Sequence, residues 1–423
     1  MPLKLFTAFL GLLAASMFAE ESLPEIQFIP LNSLKQQESQ QKSDASPYVF
    51  ATSESSETEI EKKEQNSTIT TPYAIPYEML PLWESLSIRQ KAAQMIMVFI
   101  PFDPKYTIQY EFGGCLVSLK HFKRAEDFSK TLSAINNTMR IKPFVAADQE
   151  GGRVNRLVAY SSRYKNIPSA KEMRIMSEKR IFSIAKKVGA TLDSLGVNLN
   201  LAPVLDPAKD SKQINSFMEE GNRSWGDDTT NAPKVRAFVR GMQENHVQCV
   251  SKHFPGYDSW TNSDHQIAVS ASPKSQIEKN VEFFKTLAND IPVTMMSSVR
   301  FIRISNRPAV FEPKIVRMAR EISPETVILT DDLWGMSLRS WVSGLKRAES
   351  RNYPMEDFQK IIRMSITAGN DMLMITYPQK ALEMLDYMVE LSKQNNYYRE
   401  RIEESAARIL KMKYKAGLIN LSK

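Results

Sequence analysis

From Ile75 onward the chain repeats one pattern: a short, almost continuously apolar run, then an amphipathic stretch with helical spacing. The runs are Met95–Ile100, Gly114–Leu119, Phe144–Ala147, Val197–Ala202, Val247–Ser251, Val293–Ser297, Val327–Thr330 and Met372–Ile375. A run that is apolar at nearly every position has no solvent face. It therefore fits a strand of a parallel sheet covered on both sides better than an alternating antiparallel strand. Helical patterns separate most of the runs, for example over Ala125–Met139, Ser169–Leu195, Ala232–Asn245 and Pro273–Asn289. Eight such alternations predict an α/β fold, a single (β/α)8 TIM-type barrel over residues 73–423, with no room for a second sandwich domain.

The segments before the barrel read differently. Residues 1–19 have the pattern of a secretory signal peptide: Lys4 gives a basic start, Leu5 to Ala15 is too short to span a bilayer comfortably, and Ala19 is a cleavage candidate. Export to the periplasm or the exterior is the expectation, with a cytoplasmic location as the alternative. No integral membrane segment is expected in the mature chain. Residues 20–72 are rich in Ser, Gln, Glu and Thr and hold 10 acidic against 4 basic residues, a composition that suits a disordered linker. Because the whole chain carries +7, the barrel region is basic. That charge suits a mixed, solvated surface or anionic polymers, but no basic stripe interleaved with aromatics points to nucleic acid. Cys115 and Cys249 both sit in apolar runs and read as buried thiols. The four histidines and two cysteines show no metal-ligand spacing, so neither a metal nor another cofactor is expected.

Polar residues gather where such a barrel opens. Asp148 follows the third run, Asp206 the fourth, Lys252 and His253 end the fifth, and Asp331 ends the seventh. In barrels of this kind the C-terminal strand ends line the reactive mouth. Asp331 is the candidate nucleophile, since a carboxylate there can attack an anomeric carbon. Asp332 is adjacent, and strand alternation sends only one of the two inward without saying which. His265, nine residues past Gly256 in a turn-rich segment, is the candidate acid/base, with an unperturbed pKa of about 6.5. A lone loop histidine is more often simply solvated. Lys252 and His253 offer donors to sugar hydroxyls, and both can face one pocket only if the strand bends, for which Pro255-Gly256 is the signal. Arg156 and Arg223 are candidate forks for acetamido or hydroxyl oxygens. His121 and His246 read as surface or helix-end residues, and Ala368-Gly369-Asn370-Asp371 as a structural helix stop.

These segments carry a resemblance. Gln90-Lys91 with Gln94-Met95, Gly113-Gly114, Asp148 to Arg156, Leu201 to Asp206, Asn222-Arg223-Ser224, Lys252 to Gly256, Asp331-Asp332-Leu333 and Ala368 to Met372 occur in the order found in family 3 glycoside hydrolases. The chain resembles their single-domain β-N-acetylglucosaminidase branch. That resemblance implies a retaining, two-displacement mechanism with Asp331 as nucleophile and His265 as acid/base. Asp148, Arg156, Arg223, Lys252 and His253 would hold N-acetylglucosamine. The implied partners are peptidoglycan fragments or other N-acetylglucosamine-containing glycans, acted on by a monomer.

Three departures stand out. The family's loop usually reads Asp-Ser-His, with the Asp orienting the histidine; here it reads Ser263-Asp264-His265, so the candidate carboxylate, Asp264, has moved one position closer and the tautomer and orientation of His265 are less fixed. Tyr257-Asp258 stands where His-Gly is usual, and Met296 to Val299 replaces a segment that usually ends in His-Val. Two alternatives therefore stay open: a catalytically impaired glycan-binding protein on the same barrel, and a β-glycosidase for another sugar.

Overall fold

The structure is a computed structural model and describes residues 72–208 and 216–421. The expected export signal and all but the last residue of the expected linker lie outside the described residues. Eight strands form one parallel sheet: β1 (Ile96–Phe99), β2 (Gly114–Leu116), β3 (Phe144–Ala147), β4 (Leu199–Asn200), β5 (Gln248–Phe254), β6 (Val293–Met296), β7 (Val327–Thr330) and β8 (Leu373–Ile375). Each pairs with its chain neighbour, β8 pairs with β1, and a parallel bridge between Leu329 and Met372 brings β7 to β8. The (β/α)8 barrel is thereby nearly closed. β3 and β7 are buried at every position, which is why they lack polar alternation.

Two differences from the sequence expectation have simple causes. The fourth strand keeps only Leu199–Asn200 in the ladder, because Pro203 has no N–H to donate, and pairing resumes at a bridge between Val204 and Lys252. The helix expected over Ser169–Leu195 is two: Ala170–Met173 and Glu178–Ser194. Ser177 caps the second by accepting from the Arg180 amide, so the chain breaks and restarts there. The helix Glu178–Ser194 packs closely on Ala232–Gln243, where a side chain on Gly241 would meet Ala185 and the Phe182 carbonyl at 2.7 Å.

The N-terminal end of the barrel is a structural floor. Asp371, just before β8, receives Ser405 Oγ and Arg408 Nη1 on one oxygen, each at 3.0 Å. The other oxygen accepts the Ile328 amide at 2.9 Å and the Arg320 guanidinium. These bonds fasten the helix Asn396–Lys415 to the strand starts, and the expected structural role of this segment follows from them. Lys413 on the same helix is fully buried and donates to Gln94 Oε1 at 2.7 Å. Burial lowers its pKa to about 7. Cys115 and Cys249 are free and buried, as expected, and burial pushes the Cys115 thiol up to about 12. His121 corrects a surface reading: it is buried within a helix-start capping box, with Nε2 2.9 Å from the Ile100 carbonyl, and burial lowers its pKa to about 4. His246 is exposed at a helix end, as expected.

Candidate active site

Charged residues from β3 to β5 meet at the opposite, C-terminal end. After β3 the chain turns back in a short ribbon, Gln149–Gly151 against Val154–Asn155. Gly151 has φ +90°, and a side chain on it would come within 2.1 Å of the Pro168 carbonyl, so only glycine fits. This ribbon points Asp148 and Glu150 at Lys252. The buried Lys252 ammonium lies 2.8 Å from Asp148 Oδ1 and 2.8 Å from Glu150 Oε1. Arg223 grips Glu150 through Nε and Nη2, both at 2.8 Å, and Arg156 Nη2 is 3.4 Å from Asp148 Oδ2.

Burial opposes charge on Asp148, but Lys252 and Arg156 outweigh it and hold the carboxyl well below the usual range. Glu150 falls to about 2: burial pushes it up, and Lys252 and Arg223 more than reverse that. Burial opposes the charge of Lys252 in the same way, and Asp148 and Glu150 overcome it to raise its pKa. Asp148, Glu150 and Lys252 are therefore ionised at neutral pH.

Lys252 and His253 sit where β5 stops being a regular strand. The pairing of β5 with β6 slips between Ser251 and Phe254, which interrupts strand alternation there, and the Lys252–His253 peptide is cis. Asp206 then fixes His253. Its Oδ1 accepts the His253 amide at 2.9 Å and the Tyr257 amide at 2.7 Å, while Oδ2 lies 2.8 Å from His253 Nδ1. A carboxylate in that position accepts from Nδ1–H and fixes the orientation of the imidazole.

The two adjacent aspartates differ in their hydrogen bonds. Asp332 is used up: Oδ1 accepts the amides of Trp334 and Thr376 at 3.0 Å each, and Oδ2 accepts the Thr376 hydroxyl at 2.6 Å. It ties the end of β7 to the end of β8, and burial raises its pKa to about 6. Among the described residues Asp331 accepts only the neighbouring Asp332 amide, at 2.8 Å. Burial raises its pKa and outweighs the opposing influence of His253 and Lys252, with Asp264 adding to the rise.

The loop after β5 is where structure and expectation part. Tyr257 is buried, its hydroxyl accepts the Ser263 amide at 2.8 Å and donates to the Thr261 carbonyl, and its ring meets His253 edge-on at 5.8 Å. The residue in place of the usual histidine thus pins the loop. Asp264 and His265 are both exposed. Among the described residues the His265 ring has no hydrogen-bond partner, so the expected orienting contact from Asp264 is not made. Asp264 instead lines a cavity of about 530 Å³ together with Asp332, Trp334 and Tyr377.

Arg223 has an additional partner that the sequence did not show: Nε and Nη2 of its guanidinium face Glu150, so it braces that carboxylate beside Lys252. Glu150 and Asp206 had no assigned role in the sequence. The signal for Asp206 was its position after the fourth strand; for Glu150 it was the glycine turn that follows.

Among the described residues no group of three or more His, Cys, Asp or Glu is placed to hold a metal ion, and no helix is long and apolar enough to cross a membrane. Residues 87–412 match the family described as the glycosyl hydrolase family 3 N terminal domain. The chain belongs to that family of glycoside hydrolases. The beta-hexosaminidase LpqI of Mycobacterium tuberculosis is 25% identical over 367 residues, covering 81% of this chain and 88% of the relative. A beta-hexosaminidase of Stenotrophomonas maltophilia is 23% identical over 290 residues, or 64% and 78% of the two chains. Among solved structures, the beta-N-acetylhexosaminidase of Beutenbergia cavernae superposes with a TM-score of 0.67 at 23% identity, over 78% of this chain and 99% of that one. That last likeness is one of fold.

Proposed function

We propose that the chain is a retaining exo-β-N-acetylglucosaminidase that removes terminal N-acetylglucosamine from peptidoglycan-derived glycans. Several relatives bear the name beta-hexosaminidase. The observation that carries the reading within this chain is the state of Asp331. It ends β7 with one local amide bond, under the pull of His253 and Lys252, while its neighbour Asp332 is fully hydrogen-bonded. Asp331 attacks the anomeric carbon, the glycosidic bond breaks, and His265 gives its proton to the departing oxygen. Water then attacks the glycosyl–Asp331 ester, with His265 taking the proton back. Asp148, Lys252, His253 and Arg156 hold the sugar; Arg223 supports them through Glu150.

A second reading is favoured by one observation: the His265 ring is exposed and unsupported by Asp264. On that reading the barrel binds glycans with little turnover. The two part on release of p-nitrophenol from its β-N-acetylglucosaminide, compared with the β-glucoside and with Asp331→Asn. Acetamido-selective turnover lost in the variant is expected. Full activity in Asp331→Asn would sink the nucleophile assignment, and no wild-type turnover favours the binding reading. The proposal includes export through residues 1–19 and action as a monomer, checked by cell fractionation and by sedimentation.

A further inference from the structure

We propose that Asp258 is the positioning residue of the loop that carries His265: its buried carboxyl joins the start of that loop to its return at Ser270 and Ser272. The loop's part in proton transfer rests on the hydrolase reading; the joint itself rests on the buried groups alone.

The two ends of the loop are firm before Asp258 is considered. At the start, Ser216 Oγ donates to the Tyr257 carbonyl at 3.1 Å, and the Phe217 amide donates to the Ser259 carbonyl at 3.0 Å. At the return, Val269–Ser270 pairs with Arg300–Phe301, and the Ile302 amide donates to the Ser270 carbonyl at 3.1 Å. His265 lies between, seven residues after Asp258 and five before Ser270. Asp258 is only 7% exposed, and its carboxyl faces the Ser270 and Ser272 hydroxyls.

Among the described residues neither oxygen of Asp258 has a hydrogen-bond partner. A buried carboxylate in that state is costly, so either a cation or a proton has to relieve it. The neighbouring elements supply no cation. Asp206, after β4, adds a like charge. Arg300, on the strand beside Ser270, donates to the Asn306 carbonyl, and Tyr257 turns its hydroxyl to Thr261 and Ser263. On the helix Lys274–Thr286, Lys279 is 3.0 Å from Asp227, while the side chain packed against Gly256 is the uncharged Asn280. Glu219, next to Phe217, is paired with Arg174 and Lys171.

A proton is the remaining relief, and it completes the joint. Ser270 Oγ accepts the Ser272 amide at 3.3 Å, which leaves its own hydrogen to donate. A protonated carboxyl offers an acceptor to Ser270 and a donor to Ser272; an ionised one cannot donate. Burial raises the pKa of Asp258 against the two serine hydroxyls, and Asp206 adds to the rise. The joint is therefore intact on the acid side and is lost as pH rises through that raised value, above the ordinary carboxyl range.

Trp260, on the same loop and 50% exposed, reports the state of the joint without turnover. Acrylamide quenching of the full chain is followed against pH, with Trp260→Phe protein subtracting the other tryptophans. Quenching of Trp260 should rise with pH in the wild type. Asp258→Asn keeps the shape and an N–H donor but cannot ionise, so its quenching should stay low and flat. Asp258→Ala should be strongly quenched at every pH, and Ser272→Ala should lie between. On p-nitrophenyl β-N-acetylglucosaminide, Asp258→Ala should lower kcat by about 10–100-fold with KM little changed, the cost of a displaced catalytic group. Asp258→Asn should recover most of that loss. Wild-type quenching in Asp258→Ala overturns the proposal, and so does a pH dependence that survives in Asp258→Asn. The asparagine arm decides alone if the alanine variant does not fold. Loop response without wild-type turnover keeps the joint and removes the enzyme; turnover without loop response does the reverse.

Discussion

The two ends of this barrel both bury carboxylates among cations, yet they are finished differently. At the N-terminal end both oxygens of Asp371 are taken, by two arginines, a serine and a backbone amide. At the C-terminal end Asp148 and Glu150 are matched to Lys252, Arg156 and Arg223, but Asp331 is left with a single local bond. A closed network gives a fixed joint between strands and helix. An open one keeps a desolvated acid available for chemistry, at some cost in stability. The contrast lies in how completely each group is satisfied, since the residue types are alike.

Four variants test that contrast. Asp331→Asn should reduce kcat roughly 10⁴-fold, the scale seen when one member of a catalytic set is removed, while the thermal midpoint holds or rises. A fall in stability matching the fall in activity would mean that Asp331 is as structural as Asp371. His265→Ala should cost about 10²–10⁴-fold in kcat. Should Asp264→Ala cost that much and His265→Ala leave the rate unchanged, the proton is handled by the carboxylate. At the other end, Asp371→Ala leaves Arg320 and Arg408 facing each other and should cost about 3–5 kcal/mol in urea denaturation, with activity per folded molecule retained.

The smallest effect concerns Lys413, which belongs to the floor but lacks a carboxylate partner among the described residues. In the unfolded chain this lysine keeps its proton up to about 10.5, whereas in the fold it releases it near 7. Between these values the unfolded state binds more protons, so the contribution of Lys413 to stability improves as pH rises from 7 to 10. Lys413→Met should flatten that part of the curve, and an unchanged slope removes Lys413 as its source.

The legibility of the sequence followed the same division. β3 and β7 were readable because strands buried on both faces write themselves as unbroken apolar runs. The order of acids at the mouth was readable because each follows such a run. The break at Ser177 was hidden inside a long amphipathic stretch, although a serine cap was there to be weighed. The choice between Asp331 and Asp332 depended on Thr376, 44 residues on, whose hydroxyl and amide claim only the second. The commitment of Arg223 to Glu150 joins positions 73 apart and leaves no local trace. The loop carrying His265 was misread in detail because one shifted carboxylate changes what it can touch, and the tyrosine that fastens the loop replaced a familiar residue.

Asp206 gives that loop a mechanical character. By accepting the amides of both His253 and Tyr257, it fixes the point where the strand becomes loop. The Tyr257 hydroxyl then takes the Ser263 amide, so the loop is fastened a second time ten residues after His253. Asp206 and Tyr257 between them decide where the exposed part of the loop begins, as two stitches decide where a seam opens.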